Sequence, residues 1–288
     1  MELNYISKWG ELLPLYHNNF FYLTNVDGMT AAATDIAAVV IGGIDGDTIN
    51  SIYAQPRGIV MDLRIKSGVN VEDAKRAVLQ VVKLKQQCTL EWIQNNRKLT
   101  IQGVVDNITM PRFNNQVTMQ IAIHCSQPFW EDVNTILNEI NEAEPLHWFT
   151  STEGDMLYFE EAGRALGEID TSRTRTFVNA GDVAIGMTIE VLAYGTVTNP
   201  IIYDQYGNFF GVGYGTKSLV MNEGDVLTIN TVKGQKSVTL NGTNLLDKVK
   251  PQSTWLQLEA GANEFSINSD DAETNNMTFT LNYKQRYV

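Results

Sequence analysis

The sequence predicts a mainly β chain, β-rich with one main helix and arranged as two domains. Three observations carry this: strict apolar alternation in runs between residues 57 and 125, one stretch of helical spacing after Asn70, and a C-terminal half built of short apolar runs separated by Gly, Asn and Asp turns. At 288 residues the chain has room for two buried cores, because domains commonly run to roughly 100–200 residues.

In residues 57–66, Ile59, Met61, Leu63 and Ile65 alternate with Val60, Asp62, Arg64 and Lys66, the period of a strand buried on one face. A helix follows over about 70–86. Asn70 can cap it, Glu72 and Asp73 put negative charge in its first turn, and Val71, Ala74, Val78, Val81 and Val82 recur at helical spacing, with an end expected near Gln86. Strands are then expected from Thr89 to Ile93, from Leu99 to Thr109 and from Gln116 to Cys125, the last with Val117, Met119, Ile121, Ile123 and Cys125 on one face. After Pro128 the spacing of Val133, Ile136, Leu137 and Ile140 predicts a short helix from Glu131 to Ala143, broken by Pro145. The linker is placed there, giving domains 1–145 and 146–288. From Asp170 on, runs at 187–193, 201–204, 219–221, 226–230, 237–240 and 255–258 alternate with turn signals, the pattern of a sandwich or barrel. The last run sets Met277, Phe279, Leu281 and Tyr283 against Thr278, Thr280, Asn282 and Lys284, a terminal strand.

Composition narrows the function. Lys plus Arg total 21 against 33 Asp plus Glu, a formal charge of −12, which argues against an electrostatic grip on phosphate backbones and hence against specific nucleic-acid binding. Two cysteines, Cys88 and Cys125, provide neither a disulfide framework nor a thiolate zinc cluster. The longest apolar stretch, 31–44, is interrupted by Thr34, Asp35, Gly42 and Gly43 and falls short of the roughly 20 residues of a membrane span. Residues 1–20 lack the apolar core of a secretory signal.

Catalytic patterns are not found. His17, His124 and His147 are scattered, without a His-Glu-x-x-His pair. Neither a Gly-x-Ser-x-Gly elbow nor a phosphate-binding loop occurs, and Gly211-Val-Gly213-Tyr-Gly215 reads as a turn between strands because no helix follows it. Asp45-Gly46-Asp47 lacks the Glu of a calcium loop, and the pair Asp270 and Asp271 reads as a solvated turn. No catalytic residue, metal ligand or cofactor site is therefore assigned. Trp255 could stack on a sugar, although aromatic residues in sandwich strands more often pack within the core.

The C-terminal region runs Asn179-Ala-Gly181-Asp182, Asn199-Pro200-Ile201-Ile202, Glu223-Gly224-Asp225-Val-Leu-Thr-Ile229-Asn230, Ser237-Val-Thr-Leu-Asn241-Gly242-Thr-Asn244, and Ser253-Thr-Trp-Leu-Gln-Leu258 before Gly261-Ala-Asn263. That ordered series resembles the distal tail proteins of long-tailed bacteriophages. Upstream, Pro128-Phe129-Trp130 is similar to the motif that closes the family's first domain, with Gln127 where an acidic residue is common. The strand of residues 57–66 and the helix after it also resemble that first domain. The resemblance implies a tail-tube-like first domain and a galectin-like β-sandwich. Packing roles are implied for Pro128, Phe129, Trp130, Asn199, Pro200, Gly224, Asp225, Asn241, Gly242, Gly261 and Asn263.

It also implies a function: a virion tail-tip or baseplate hub that is made in the host cytoplasm and is not an enzyme. Six copies would form a ring between the tail tube protein and the tail-associated hub protein, with a receptor-binding protein held at the periphery and a channel left for DNA. Asp62, Arg64, Thr118, Gln120 and His124 are candidates for the channel wall. Two alternatives accompany this expectation: a carbohydrate-binding module for host wall sugar, with Trp255 as its stacking group, or the same part in a phage-derived bacteriocin particle.

Overall fold

The computed structural model describes residues 2–43, 45–95, 97–110, 117–138, 174–271 and 276–288. The chain forms two compact units, Met1–Asn134 with Gln285–Val288, and Thr135–Lys284. The expected boundary after residue 145 lies outside the described residues, as do Ile140, Pro145 and His147.

The first unit contains β1 (Glu2–Ser7), β2 (Leu12–Pro14), β3 (Phe21–Asp27), β4 (Thr34–Val39), β5 (Thr48–Ala54), β6 (Arg57–Ile65), α1 (Val71–Val81), β7 (Gln87–Gln94), β8 (Arg97–Thr109), β9 (Thr118–Cys125) and β10 (Trp130–Asp132). Its main sheet runs β2-β1-β7-β8-β9-β6-β3. Alternation works as the sequence suggests: Ile59, Met61 and Leu63 of β6 and Met119, Ile121 and Ile123 of β9 enter one core with Leu3, Tyr5, Phe21, Leu90 and Val105. The sheet closes so tightly around Gly103 that a Cβ there would lie 2.4 Å from Ile123 Cγ2 and 2.9 Å from Cys125 Sγ.

The Asn70 side chain caps α1 by accepting from Glu72 N at 3.0 Å, and Ala74 and Val78 face inward. The helix stops at Val81, short of the expected Gln86. Val82 is extended and fully buried, and the backbone then joins the sheet through Lys85 N to Val105 O (3.0 Å) and Val105 N to Gln86 O (3.1 Å). Those sheet bonds take over the groups that further helix would have used.

The expected helix from Glu131 to Ala143 is replaced, over its described part, by two strands. β10 pairs with β8 and with β23 (Arg286–Tyr287), and Arg286 clasps Glu131 Oε1 through Nε (2.9 Å) and Nη2 (2.7 Å). β11 (Ile136–Asn138) pairs with β22 (Met277–Tyr283) in the second unit. The helical spacing is real, but partners from the far end of the sequence offer a ladder that a three-turn helix cannot match.

The second unit is a two-sheet β-sandwich. It adds β12 (Thr174–Asn179), β13 (Thr188–Ala193), β14 (Val197–Thr198), β15 (Ile201–Asp204), β16 (Phe209–Gly211), β17 (Val220–Met221), β18 (Val226–Asn230), β19 (Ser237–Leu240), β20 (Thr243–Asn244) and β21 (Gly261–Asn268). One sheet runs β11-β22-β13-β18-β19-β20 and the other β12-β21-β15-β16. Their inner faces share a core in which Phe177 meets Phe265 on its own sheet and Phe279 on the facing one, with centroids 6.0 and 5.7 Å apart. Residues 255–258 form no strand; only Leu258 makes a bridge, to Ile185.

Candidate assembly surfaces

The outer face of the first unit's sheet is built by the same alternation that makes its core. Cross-strand register sets Asp62 opposite Gln120, Arg64 opposite Thr118 and Gly58 opposite His124. Asp62, Arg64, Thr118, Gln120 and His124 therefore share the face turned away from the core. Gln120 Nε2 donates to Asp62 Oδ1 at 3.0 Å, and Arg64, Gln120 and His124 are exposed. The surface is polar, mixed in charge and rigidly backed by hydrogen-bonded strands.

Pro128 and Trp130 are buried and Phe129 is half-buried. The Trp130 ring packs edge-on against Trp92, with centroids 5.6 Å apart, and its strand pairs with the returning β23. The β23 pairing has no local sequence signal and is missed by motif reasoning.

In the sandwich the motif residues act as clamps on corners. Asn199, with φ of 51°, accepts from Leu219 N (2.9 Å) and Ser218 Oγ (3.1 Å) and donates to Asp270 Oδ2 (2.6 Å). Pro200 follows it and uses its carbonyl to accept from Val212 N. Asn241, at φ 48°, accepts from Val226 N (2.9 Å) and donates to Asp225 Oδ1 (2.7 Å), and Gly242 completes that turn at φ 82°. The Asp225 carboxyl is held below its ordinary range first by Asn222 N–H and then by the Asn241 amide. Gly224 turns the chain before it at φ 86°. Asn263 accepts from Glu259 N (2.8 Å) and donates to the carbonyls of Glu259 (2.8 Å) and Gly261 (2.9 Å). Each amide satisfies backbone groups that a tight corner leaves over.

Trp255 is half-buried. Its ring packs against Phe210, centroid to centroid 4.8 Å, and Lys236 Nζ sits 5.1 Å from its centroid. The nearby cleft of about 170 Å³ is lined by Trp255, Asp204, Tyr206, Asn208 and Glu264 among others. Phe210 and Lys236 thus already take up part of the ring's surroundings. Among the described residues, no group of three His, Cys, Asp or Glu side chains could hold a metal ion, and no helix is long and apolar enough to cross a membrane.

Residues 180–287 match the family described as siphovirus-type tail component, C-terminal domain. The match covers the C-terminal part of the chain only. Among solved structures, the chain is similar in fold to the SPP1 Dit protein, described as a paradigm of the hub adsorption apparatus in phages infecting Gram-positive hosts. The identity is 14%, the TM-score 0.66, and the match covers 99% of each chain. A chain of the phage P2 baseplate in its activated conformation aligns at 12% identity and TM-score 0.43 over 99% of this chain and 97% of that one, too loose a superposition to argue from. No curated protein matches the sequence.

Proposed function

We propose that the chain is a hub of the phage tail tip or baseplate, six copies of which close into a ring around a channel for DNA. The ring connects the tail tube protein to the tail-associated hub protein, while the sandwich domains carry receptor-binding proteins at the periphery. The observation that carries this reading is the end-to-end correspondence of both units with the fold of the SPP1 hub protein, combined with the family match of residues 180–287.

The physical chemistry supports it. A sheet with one face sealed by its own core and the other polar can line an aqueous channel without exposing apolar surface, and Asp62, Arg64, Thr118, Gln120 and His124 form that wall. A net charge of −12 discourages passing nucleic acid from adhering. The Trp255 contacts give sugar binding no comparable support.

Light scattering of the purified chain, with negative-stain images of the same peak, tests the ring. A mass of roughly six times 32.2 kDa and annular particles are expected. A strict monomer at high concentration, also when mixed with tail tube protein, counts against the hub reading.

A further inference from the structure

The β4–β5 hairpin is the least ordinary surface of the first unit. Its strands pair only with each other, and register sets Ile36 opposite Ile52 and Ala38 opposite Ile49, so these apolar groups share one face. That face is uncovered: Ile36 is 54% exposed, Ile49 53% and Ile52 61%, and Val39, Val40 and Ile41 nearer the tip are exposed as well. A two-stranded hairpin alone in water is marginal, and contiguous exposed apolar surface marks a contact site. Three acids, Asp35, Asp45 and Asp47, and no Lys or Arg lie between residues 30 and 56, so the hairpin is both apolar and negatively charged.

The same unit carries a surface of matching chemistry elsewhere. Beside α1, Leu79, Leu84, Ile108 and Met110 line an apolar groove of about 370 Å³ rimmed by Lys75 and Lys83. Leu79 and Leu84 are exposed, and Lys83 Nζ lies 5.0 Å from the ring centre of exposed Trp9 beside it. Between residues 75 and 86 stand four basic residues, Lys75, Arg76, Lys83 and Lys85, and no acidic one. Glu72 approaches Lys75 only to 3.9 Å. No hairpin residue lines this groove within the chain.

We propose that the β4–β5 hairpin of one copy docks its Ile36 and Ile52 face into the lysine-rimmed groove beside α1 of the next copy. The proposal rests on the ring reading above and specifies which surfaces meet. The hairpin and the groove are different patches of one chain, so each copy gives one contact and receives one. Such a head-to-tail interface closes into a ring when its rotation divides the circle. Apolar area supplies the attraction, and the opposed charges set the orientation and reject hairpin-to-hairpin pairing.

The test uses the full chain in two single-cysteine additions, Ile52→Cys and Leu84→Cys, mixed before assembly and then oxidised. The native thiols of Cys88 and Cys125 are buried. A disulfide-linked dimer is expected only in the mixture, and the double variant should give a ladder reaching the ring. In parallel, Lys75→Glu with Lys83→Glu should lower ring formation at least tenfold, and mixing these copies with Asp45→Lys, Asp47→Lys copies should restore part of it. A ring of the expected mass with neither cross-link nor charge effect overturns the docking and leaves the ring reading standing. A wild-type chain that stays monomeric at high concentration, also when mixed with tail tube protein, overturns both. Cross-linking of Ile52→Cys to a different tail protein in assembled particles, with none between copies, overturns the docking alone.

Discussion

β6 and β9 and the β4–β5 hairpin are antiparallel pairs of similar apolar content, yet they stand in opposite relations to water. Along β6 every second side chain from Arg57 to Leu63 is buried, and β9 matches it. Along β4 and β5 almost every side chain is exposed. Both pairs form antiparallel ladders, so the difference is the presence or absence of a core behind the sheet. In the body, burial fixes register, because a one-residue slip would turn an apolar set outward. In the hairpin no such penalty operates within the chain, and the docking proposed above would supply one.

Trp130→Ala sharpens the contrast most. Trp130 is fully buried against Trp92, on a strand paired with the returning β23. Its truncation is expected to cost about 3–5 kcal/mol, read as a fall in the urea midpoint of the first unit's transition. A loss below about 1 kcal/mol would mean that the body core is looser than its packing implies.

Gly28→Ala probes the joint between the two regions. Gly28 ends β3 at φ 83°, and a Cβ there would come within 2.0 Å of the Gly58 carbonyl oxygen. The same joint is braced by Arg57, a buried side chain whose Nη1 reaches the Gly28 and Met29 carbonyls at 3.5 and 3.4 Å, and by Gln55 N bonding to Ala33 O at 2.7 Å. Backbone must shift to admit the methyl, at a cost of about 1–3 kcal/mol. Limited proteolysis should show earlier cleavage in residues 29–56 while the body remains folded.

The body strands are legible in the sequence because burial imposes the period: residues 57–65 and 118–125 follow from alternation alone. The hairpin is not legible for the complementary reason, since Ala31 to Ile44 is apolar without a buried face to set a period. Glu131 to Ala143 misleads because its partners, Arg286–Tyr287 and Met277–Tyr283, stand at the far end of the chain, and no local pattern records them. The turn residues of the sandwich are half legible. Asn199-Pro200 and Asn241-Gly242 announce corners by residue type, but the amide bonds from Asn199 to Leu219 and Asp270 require the fold.

Alkaline titration separates the regions by chemistry. Burial pushes the Cys88 thiol up to about 12, with the Tyr5 hydroxyl pulling it partly back, and burial likewise raises Cys125 to about 11 against the pull of Arg57. A thiol whose folded value is raised ionises first in the unfolded chain, near 8.5–9. Its contribution to stability is therefore complete below that pH and is lost as pH rises toward 11–12. The body should weaken progressively above pH 9 in urea titrations, and replacing both cysteines by Ala should flatten that slope. A thiol reagent at pH 8 should modify the cysteines at the rate of unfolding; immediate reaction would contradict their burial.

The smallest effect on the single chain discriminates best between the two regions. Ile52→Ala removes a large side chain that is already 61% exposed, so in dilute monomer the stability should move by no more than about 0.5 kcal/mol. The equivalent cut in the body, Met61→Ala, removes a fully buried group and should cost about 2–5 kcal/mol. Dilution of preformed assemblies, followed by mass, reverses the ranking. Ile52→Ala rings should dissociate at higher protein concentration than wild type, whereas Met61→Ala rings that fold should dissociate as wild type does. A hairpin whose truncation leaves both quantities unchanged would be surface with no partner, and its unburied isoleucines would need a different physical account.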